Sequence, residues 1–264
     1  MNDESNMIRH VLGVSGGKDS AALAIYMRDK VPEMEYFFTD TGAELPEVYD
    51  FLDKLEAYLG KPIERLMPNG DFDHQLKMHN GFLPSPNTRW CTREMKIRPF
   101  EEWVGDDNVI TYVAIRADED REGYRSTKDN IKPCFPFKED SLNRADIERI
   151  LYNSGVGYPK YYEWRSRSGC YFCFFQRKNE WVGLAKHHPD LFERAKQYEK
   201  LETTSGDRYT WSQGESLDEL INRASEILNA SSVANKLSQK ITWQEQVANV
   251  ADDSSDESCL ICAL

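Results

Sequence analysis

The segment Ser15–Ser20, with the sequence S-G-G-K-D-S, constrains the fold more than any other part of this chain. It follows a short apolar run, Val11–Val14, and precedes a helical pattern, Ala21–Arg28, so we predict a strand, a glycine-rich turn and a helix. Two adjacent glycines let backbone N–H groups approach a ligand closely, and a helix N-terminus attracts anions. The segment therefore predicts a site for nucleotide phosphates; the alternative is a glycine-rich turn that binds nothing.

The first half of the chain alternates strand-like and helical patterns. The predicted strands are Val11–Val14, Met34–Phe38, Ile63–Leu66 and Val109–Ile115, and the predicted helices begin at Ser20 or span Pro46–Tyr58, Asp71–Met78 and Glu94–Val104. This order favours a doubly wound α/β fold, in which helices flank a mostly parallel sheet. Loops after the carboxyl ends of the strands should then form the ligand site.

The second half has a different character. Residues 131–178 are predicted to be irregular apart from a helix at Ala145–Tyr152, and a helical C-terminal part follows. Its predicted helices are Asn179–Lys186, Pro189–Leu201, Leu217–Ala230 and Leu237–Val250. We therefore expect a core at 1–130, a cysteine-rich and helical region at 131–250 packed on it, and an acidic disordered tail at 251–264.

Charge and hydropathy exclude some classes of protein. A net charge of −12 argues against a protein that coats nucleic acid through its overall charge. Two local basic clusters are candidate DNA contacts, although ordinary solvated charge is the alternative. The clusters are Arg89, Arg93, Lys96 and Arg98, and Arg165, Arg167, Arg177 and Lys178. Because the chain has no apolar run of about 18 residues and a polar N-terminus, we predict a cytoplasmic protein without a membrane partner.

The Ser15–Ser20 motif is not a Walker A loop, which needs a glycine at position 12 and Ser or Thr at position 19, where this chain has Leu12 and Asp19. It resembles the PP-loop of the ATP pyrophosphatases, which cleave ATP between the α and β phosphates and adenylate a substrate. The resemblance implies an adenine nucleotide alpha hydrolase-like fold and binding of ATP and Mg²⁺, with Asp19 or Asp40 helping to hold the ion. The same resemblance implies that Lys18, Asp19 and Arg116 are catalytic residues.

Further segments resemble the phosphoadenosine phosphosulfate (PAPS) reductase branch of the PP-loop enzymes. Residues 39–42 read T-D-T-G, residues 89–92 read R-W-C-T, with a lysine and a proline downstream, and residues 114–119 resemble G-[VI]-R-x-x-E with Ala114 in place of glycine. The resemblance implies that the nucleotide contacts are Ser15, Gly16, Gly17, Lys18, Asp19, Ser20, Thr39, Asp40, Thr41, Gly42, Lys96 and Arg116. The alternatives are a polar helix-capping turn at 39–42 and a structural ion pair between Arg116 and Asp118 or Glu119.

Six cysteines in a chain of this length point to metal or redox chemistry rather than to disulfides. Cys170 and Cys173 form a C-x-x-C turn, and Cys91 and Cys134 are predicted to complete a four-cysteine site for a [4Fe–4S] cluster or for zinc. The resemblance favours iron–sulfur; buried cysteines without a metal are the alternative. Cys259 and Cys262 form a second C-x-x-C turn.

Within this superfamily the chain looks most like the DndC and SspD proteins of DNA phosphorothioation and of related defence loci. That resemblance implies DNA, a cysteine desulfurase and other phosphorothioation proteins as partners. The alternatives are a sulfonucleotide reductase, a tRNA sulfurtransferase and a non-catalytic nucleotide-binding subunit. The reductases carry an E-C-G-[LI]-H segment, whereas residues 257–261 read E-S-C-L-I and lack its Gly and His.

Overall fold

A computed structural model describes residues 8–123, 126–201 and 208–231. These residues form two compact units: residues 8–80, 89–123 and 126–170 belong to the first, and residues 81–88, 171–201 and 208–231 to the second. The division expected after residue 130 falls inside the first unit, because the strand that follows pairs with the sheet. The predicted tail at 251–264 and the predicted helix at 237–250 lie outside the described residues.

The first unit contains one parallel sheet of five strands, in the order β3-β2-β1-β4-β5. The strands are β1 Arg9–Gly13, β2 Glu35–Thr39, β3 Ile63–Leu66, β4 Val109–Tyr112 and β5 Ile131–Cys134. The chain moves outward from β1 to β3 on one side and then returns to β4 on the other side of β1. Loops after β1 and β4 therefore face each other at the point where the strand order reverses, which is where ligands bind in such sheets. The predicted doubly wound α/β fold is confirmed.

The strand β5 lies in a region that the sequence analysis assigned to irregular structure, and that assignment is wrong for these four residues. β5 pairs in parallel with β4, with Cys134 opposite Tyr112. Its sequence, I-K-P-C, is short, and Pro133 has no N–H group to donate to a neighbouring strand. The residue is tolerated because β5 is an edge strand.

Seven α-helices of the first unit surround or follow these strands. They are α1 Lys18–Met27, α2 Pro46–Leu59, α3 Phe72–Met78, α4 Trp90–Thr92, α5 Arg98–Val104, α6 Pro136–Glu139 and α7 Arg144–Ser154. The buried face of α1 consists mostly of small residues, including Ala21, Ala22 and Ala24. Alanine adds little side-chain bulk, and α7 packs against α1.

The helix predicted at 94–104 is longer and less regular in the structure. A continuous helical run covers Trp90 to Val104, with a π-helical turn at Arg93–Ile97 between α4 and α5. π-helical turns are rare and occur frequently at functional sites. The run carries Cys91 and Lys96, two of the predicted site residues.

The second unit is helical and has an aromatic core. Its helices are α8 Lys178–His187, α9 Pro189–Lys196 and α10 Leu217–Asn222, and residues 224–231 continue as helix after a turn at Arg223. Phe172 stacks on Trp211 at 5.3 Å between ring centroids, and the indole N–H of Trp211 donates to the Ala195 carbonyl at 2.9 Å. The predicted helical C-terminal part is thus observed as far as residue 231. Across the residues that the structure describes, no helix is long and apolar enough to cross a bilayer.

Glu215 links α8 to α10 in the second unit. Arg223 donates two hydrogen bonds to its carboxylate, each at 2.8 Å, and the Lys178 ammonium lies 2.5 Å away. The hydrogen bond from Arg223, followed by that from Lys178, lowers the pKa of Glu215 to about 2, while burial acts in the opposite direction. The ion pairs therefore stabilise the folded protein above the ordinary glutamate pKa, and this contribution disappears as the pH falls toward about 2.

We expect Glu215→Gln to lower the free energy of unfolding at pH 7 by about 1–2 kcal/mol, a value discounted because Arg223 and Lys178 are partly exposed. The difference from the wild-type protein should narrow as the pH falls from about 4.5 to about 2. Urea unfolding curves at several pH values measure it. A difference that is constant over this range would show that the amide disturbs packing rather than removing a charge.

Candidate nucleotide-binding site

The glycine-rich turn after β1 adopts a conformation that only glycine accepts easily. Gly16 has φ +71°, and a Cβ atom at this position would lie 2.6 Å from Cγ1 of Val48 in α2. Positive φ and the close approach of α2 therefore both require glycine here. At Gly17, which precedes α1, an added Cβ would lie 2.9 Å from the Ser168 hydroxyl.

The two serines of the motif serve to hold the turn closed. The backbone N–H of Ser15 donates to the Ser20 hydroxyl at 3.1 Å, and the two side-chain hydroxyls lie 3.1 Å apart. Ser20 also donates to the Gly17 carbonyl at 3.2 Å and is buried. The structure thus directs both hydroxyls at the loop itself, and their predicted contact with a nucleotide stays a prediction.

Lys18 is the first residue of α1 and stands where an anion is favoured. Burial lowers the pKa of Lys18; Asp19 opposes this shift, whereas Arg144 and Arg116 reinforce it. A bound phosphate would supply the negative charge that a half-buried ammonium favours.

Arg116 reaches the same turn from the loop after β4, because β4 is the neighbour of β1. Its guanidinium lies 3.1 Å from Asp19, 2.9 Å from Asp118 and 2.7 Å from Glu119. Burial alone would lower the pKa of Arg116, but the three carboxylates outweigh it and raise the pKa. The alternative interpretation, a structural ion pair with Asp118 or Glu119, is therefore observed, and a further ion pair joins Arg116 to Asp19 of the glycine-rich turn. The contact of Arg116 with a nucleotide and its catalytic role stay predictions.

The loop after β2 contains the predicted T-D-T-G segment. Asp40 accepts hydrogen bonds from the Gly42 N–H and from the Tyr49 hydroxyl, both at 2.8 Å. Thr41 is buried, and its hydroxyl donates to Glu44 at 2.9 Å. Thr39, the last residue of β2, is buried as well. The loop is internally braced and lies at the carboxyl edge of the sheet, one strand away from the PP-loop.

A segment of the first unit, residues 161–170, supports both loops. Sequence reasoning nominated its Cys170 as a metal ligand but missed Tyr161 and Tyr162. The Tyr161 hydroxyl donates to the Gly16 carbonyl at 2.8 Å, and the Lys18 N–H donates to the Tyr162 hydroxyl at 3.2 Å. The Ser168 hydroxyl lies 3.3 Å from that of Ser15, and the Cys170 thiol lies 3.2 Å from the Thr41 hydroxyl. These contacts join residues more than a hundred positions apart, so no local pattern in the sequence announces them.

The predicted four-cysteine site is not formed in the structure. Among the described residues, no group of three or more His, Cys, Asp or Glu side chains lies close enough to hold a metal ion. Cys170 lies beside the T-D-T-G loop, whereas the Cys134 thiol donates to Glu139 at 3.7 Å. Burial, followed by the charge of Glu139, raises the pKa of Cys134 to about 11.

The cysteines at 91 and 173 occupy a helix and a turn, and both side chains are partly buried. Because the structure does not gather three or more of these cysteines as ligands of one ion, we derive no chemistry through a cluster. Ligation of iron or zinc by Cys91, Cys134, Cys170 and Cys173 stays a prediction.

Carboxylates reduce the positive charge of both basic clusters. Arg98 lies 2.7 Å from Glu94, and Lys178 lies 2.5 Å from Glu215. Arg165 is 2 % exposed and donates to the Cys170 carbonyl, so it belongs to the interior of the first unit and not to a DNA-binding surface. Lys96 is partly buried in the π-helical turn, and its contact with a nucleotide stays a prediction.

Comparison with known protein families bears directly on this site. A model of the phosphoadenosine phosphosulfate reductase domain matches residues 9–173, which is more than half of the 264-residue chain. The chain belongs to the PAPS reductase domain family. The matched range contains the PP-loop, the T-D-T-G loop, Arg116 and the first C-x-x-C turn. The predicted membership of this branch is confirmed, and the closer resemblance to DndC and SspD stays a prediction.

Individual relatives within and beyond this family are distant. An uncharacterized protein of Methanocaldococcus jannaschii is 24% identical over 192 residues, which is 68% of this chain and 45% of that protein. The chain thus spans less than half the length of this relative. An uncharacterized protein of Escherichia phage 186 is 24% identical over 250 residues, covering 73% of this chain and 75% of the phage protein.

Two solved structures resemble the fold. One is a PAPS reductase from Candida auris, determined as a phosphate complex, with a TM-score of 0.48 and 16% identity. The match covers 62% of this chain and 82% of the reductase chain. The other is the U34-tRNA thiolase NcsA from Methanococcus maripaludis, determined with its [4Fe-4S] cluster, with a TM-score of 0.42 and 14% identity. The match covers 83% of this chain and 82% of the thiolase chain.

Proposed function

We propose that this protein is an ATP pyrophosphatase that converts ATP to AMP and pyrophosphate and adenylates a substrate. The observation that carries the proposal is the convergence of Lys18, the N-terminus of α1 and Arg116 on one glycine-rich turn. The turn lies after β1, at the point where the strand order reverses. Membership of the PAPS reductase domain family, whose PP-loop relatives are enzymes, supports an enzymatic function.

The residues of the turn have clear roles in such a reaction. When a nucleophile attacks the α-phosphorus, negative charge grows on the departing pyrophosphate. The Lys18 ammonium and the N–H groups at the start of α1 stabilise that charge, because they are fixed before the reaction begins. The planar guanidinium of Arg116 contacts phosphate oxygens by exchanging some of its carboxylate partners for the ligand.

Magnesium is expected to enter together with the nucleotide. Asp19 is engaged by Arg116, and Asp40 accepts two hydrogen bonds, so each offers a carboxylate in a fixed position. Mg²⁺ is commonly held by one or two carboxylates, water and substrate phosphates rather than by a complete protein cage. A bound Mg²⁺ would neutralise phosphate charge.

The substrate that we propose is the DNA backbone phosphate, as in DNA phosphorothioation. An oxygen of that phosphate attacks the α-phosphorus of ATP and releases pyrophosphate. The outer sulfur of a cysteine desulfurase persulfide then attacks the adenylated DNA phosphorus, and AMP leaves. A thiol reductant next cleaves the S–S bond that joins this sulfur to the desulfurase cysteine, which leaves the phosphorothioate on DNA and a disulfide on the thiol side. The choice of DNA as the substrate rests on the resemblance to DndC and SspD. The two basic clusters do not carry it, because carboxylates pair with members of both.

One assay tests the proposed activity. The purified full chain is incubated with Mg²⁺ and ATP labelled at the α-phosphate, and in a parallel reaction with ATP labelled at the γ-phosphate, alone, with DNA and with tRNA, and the products are separated. We expect labelled AMP, free or attached to the nucleic acid, and labelled pyrophosphate in equal amounts, with formation stimulated by the substrate nucleic acid. ADP and phosphate as products would overturn the pyrophosphatase proposal, and stimulation by tRNA alone would replace DNA with tRNA as the substrate.

A sulfonucleotide reductase is the second candidate, and the family match at residues 9–173 favours it. Against it stands the sequence E-S-C-L-I at 257–261, which lacks the Gly and His of the reductase segment. Release of sulfite from adenylylsulfate or PAPS in the presence of a thiol reductant would establish this activity. We expect no sulfite release.

A further inference from the structure

A tyrosine hydroxyl occupies one of the backbone donors that a phosphate would use. The N–H of Lys18 donates to the hydroxyl oxygen of Tyr162 at 3.2 Å. Lys18 is the first residue of α1, so this N–H has no acceptor within the helix. N–H groups at this position are the ones that bind anions at a helix N-terminus.

Neighbouring aromatic rings hold Tyr162 in place. Its ring stacks on Tyr161 with centroids 4.8 Å apart, and the edge contact with Tyr158 is 6.0 Å between centroids. Tyr161 is fully buried and is itself fixed to the turn by its hydrogen bond to the Gly16 carbonyl. The Lys18 ammonium lies 5.9 Å from the Tyr162 ring centroid. The hydroxyl therefore meets the amide through a braced arrangement rather than through a loose surface contact.

A phosphate oxygen is the stronger acceptor for this amide. Hydrogen bonds to a charged acceptor are roughly twice as strong as those between neutral groups. Burial raises the pKa of Tyr162 to about 12, so the hydroxyl is neutral at ordinary pH. One N–H group cannot give a full hydrogen bond to both acceptors, and a phosphate at the turn would displace the hydroxyl.

We propose that Tyr162 gates the PP-loop: its hydroxyl caps the Lys18 amide and gives way when a nucleotide phosphate binds there. This inference rests on the proposed function, because it assumes that phosphates bind at this turn. The gate lowers the affinity for any ligand that needs the Lys18 amide, since the capped form must first open. A charged phosphate oxygen is a stronger acceptor than a neutral group, so it displaces the hydroxyl more readily than a neutral ligand would.

The first test compares two tyrosine variants. Tyr162→Phe removes the competing hydroxyl and keeps the ring beside Lys18, and Tyr152→Phe is the same chemical change at a residue of α7 that is 83% exposed. Affinity is measured by calorimetry with Mg²⁺ and α,β-methylene-ATP, which cannot be cleaved between these phosphates. We expect Tyr162→Phe to bind about three- to tenfold more tightly than the wild-type protein, and Tyr152→Phe to bind like it. Unchanged or weaker binding by Tyr162→Phe would overturn the gate.

Hydrogen exchange provides a readout that does not depend on affinity. The Lys18 amide should exchange several-fold faster in Tyr162→Phe than in the wild-type protein, and saturating pyrophosphate should protect it equally in both. If nucleotide binds but neither affinity nor exchange responds to the substitution, the gate fails while the proposed function stands. If neither nucleotide nor pyrophosphate binds the wild-type protein, both fail together.

A measurement on the wild-type chain covers the case in which Tyr162→Phe does not fold. Pyrophosphate is titrated into protein labelled at lysine nitrogen and tyrosine ring positions, and the Lys18 amide and Tyr162 ring resonances are followed. Both should shift with the same apparent Kd. A shift of the Lys18 resonance without one at Tyr162 would overturn the gate.

Discussion

Replacement of Lys18 by Met is expected to lower the rate of AMP formation from ATP by about 10²–10³-fold. Methionine retains much of the length of the lysine side chain but cannot stabilise charge on the departing pyrophosphate. Because burial already lowers the pKa of Lys18, removal of the ammonium should leave the folded protein intact or slightly more stable. The rate is measured with labelled ATP under single-turnover conditions.

Lys54→Met is the control for this variant. Lys54 is an exposed residue of α2, and its replacement should change neither the rate nor the melting temperature. A Lys18→Met protein with wild-type activity would show that the turn after β1 does not bind the reacting phosphates, and the proposed function would be lost.

Gly16→Ala is expected to lower the free energy of unfolding by about 2–5 kcal/mol and to weaken ATP binding by more than tenfold. The left-handed backbone conformation costs an alanine about 1–2 kcal/mol, and overpacking costs about 1–3 kcal/mol more. The second cost arises because the new methyl group would overlap Cγ1 of Val48 at 2.6 Å. Urea denaturation and calorimetric titration measure the two effects.

Gly60→Ala measures the cost of the left-handed backbone conformation without the cost of overpacking. Gly60 has φ +66°, similar to Gly16, but an added Cβ would meet no atom within 4 Å. Gly60→Ala should therefore show the backbone cost alone and bind ATP normally. Val48→Ala removes the atom that Gly16→Ala would strike, so the double variant should recover part of the lost stability. Equal losses for the two glycine variants would contradict the close packing of α2 on the turn.

Local sequence was sufficient to predict the elements of the sheet that carry strong patterns. β3 was predicted at its observed bounds, and α2 was predicted from its first-turn proline to within one residue of its end. These signals are local because side-chain alternation, a helix-starting proline and Gly60 after the helix act over a few residues. β5 was missed, since its pairing partner rather than its own sequence makes Ile131–Cys134 a strand.

The candidate site likewise has one part that local sequence determines and another part that only the packing of distant segments determines. The sequence alone determined that a strand, a glycine-rich turn and a helix follow one another at residues 9–27, because backbone conformation and helix dipoles are properties of adjacent residues. It also showed the family resemblance that the match at residues 9–173 confirms.

Only the tertiary structure decided which distant side chains meet that turn. Arg116 reaches Asp19 because β4 pairs with β1, and Tyr161 and Tyr162 reach the turn from a segment whose own sequence gives no such signal. The same holds for Cys134, whose thiol contacts Glu139 of α6. Such contacts depend on how strands are ordered and how segments pack, and these depend on the whole chain rather than on any local stretch of it.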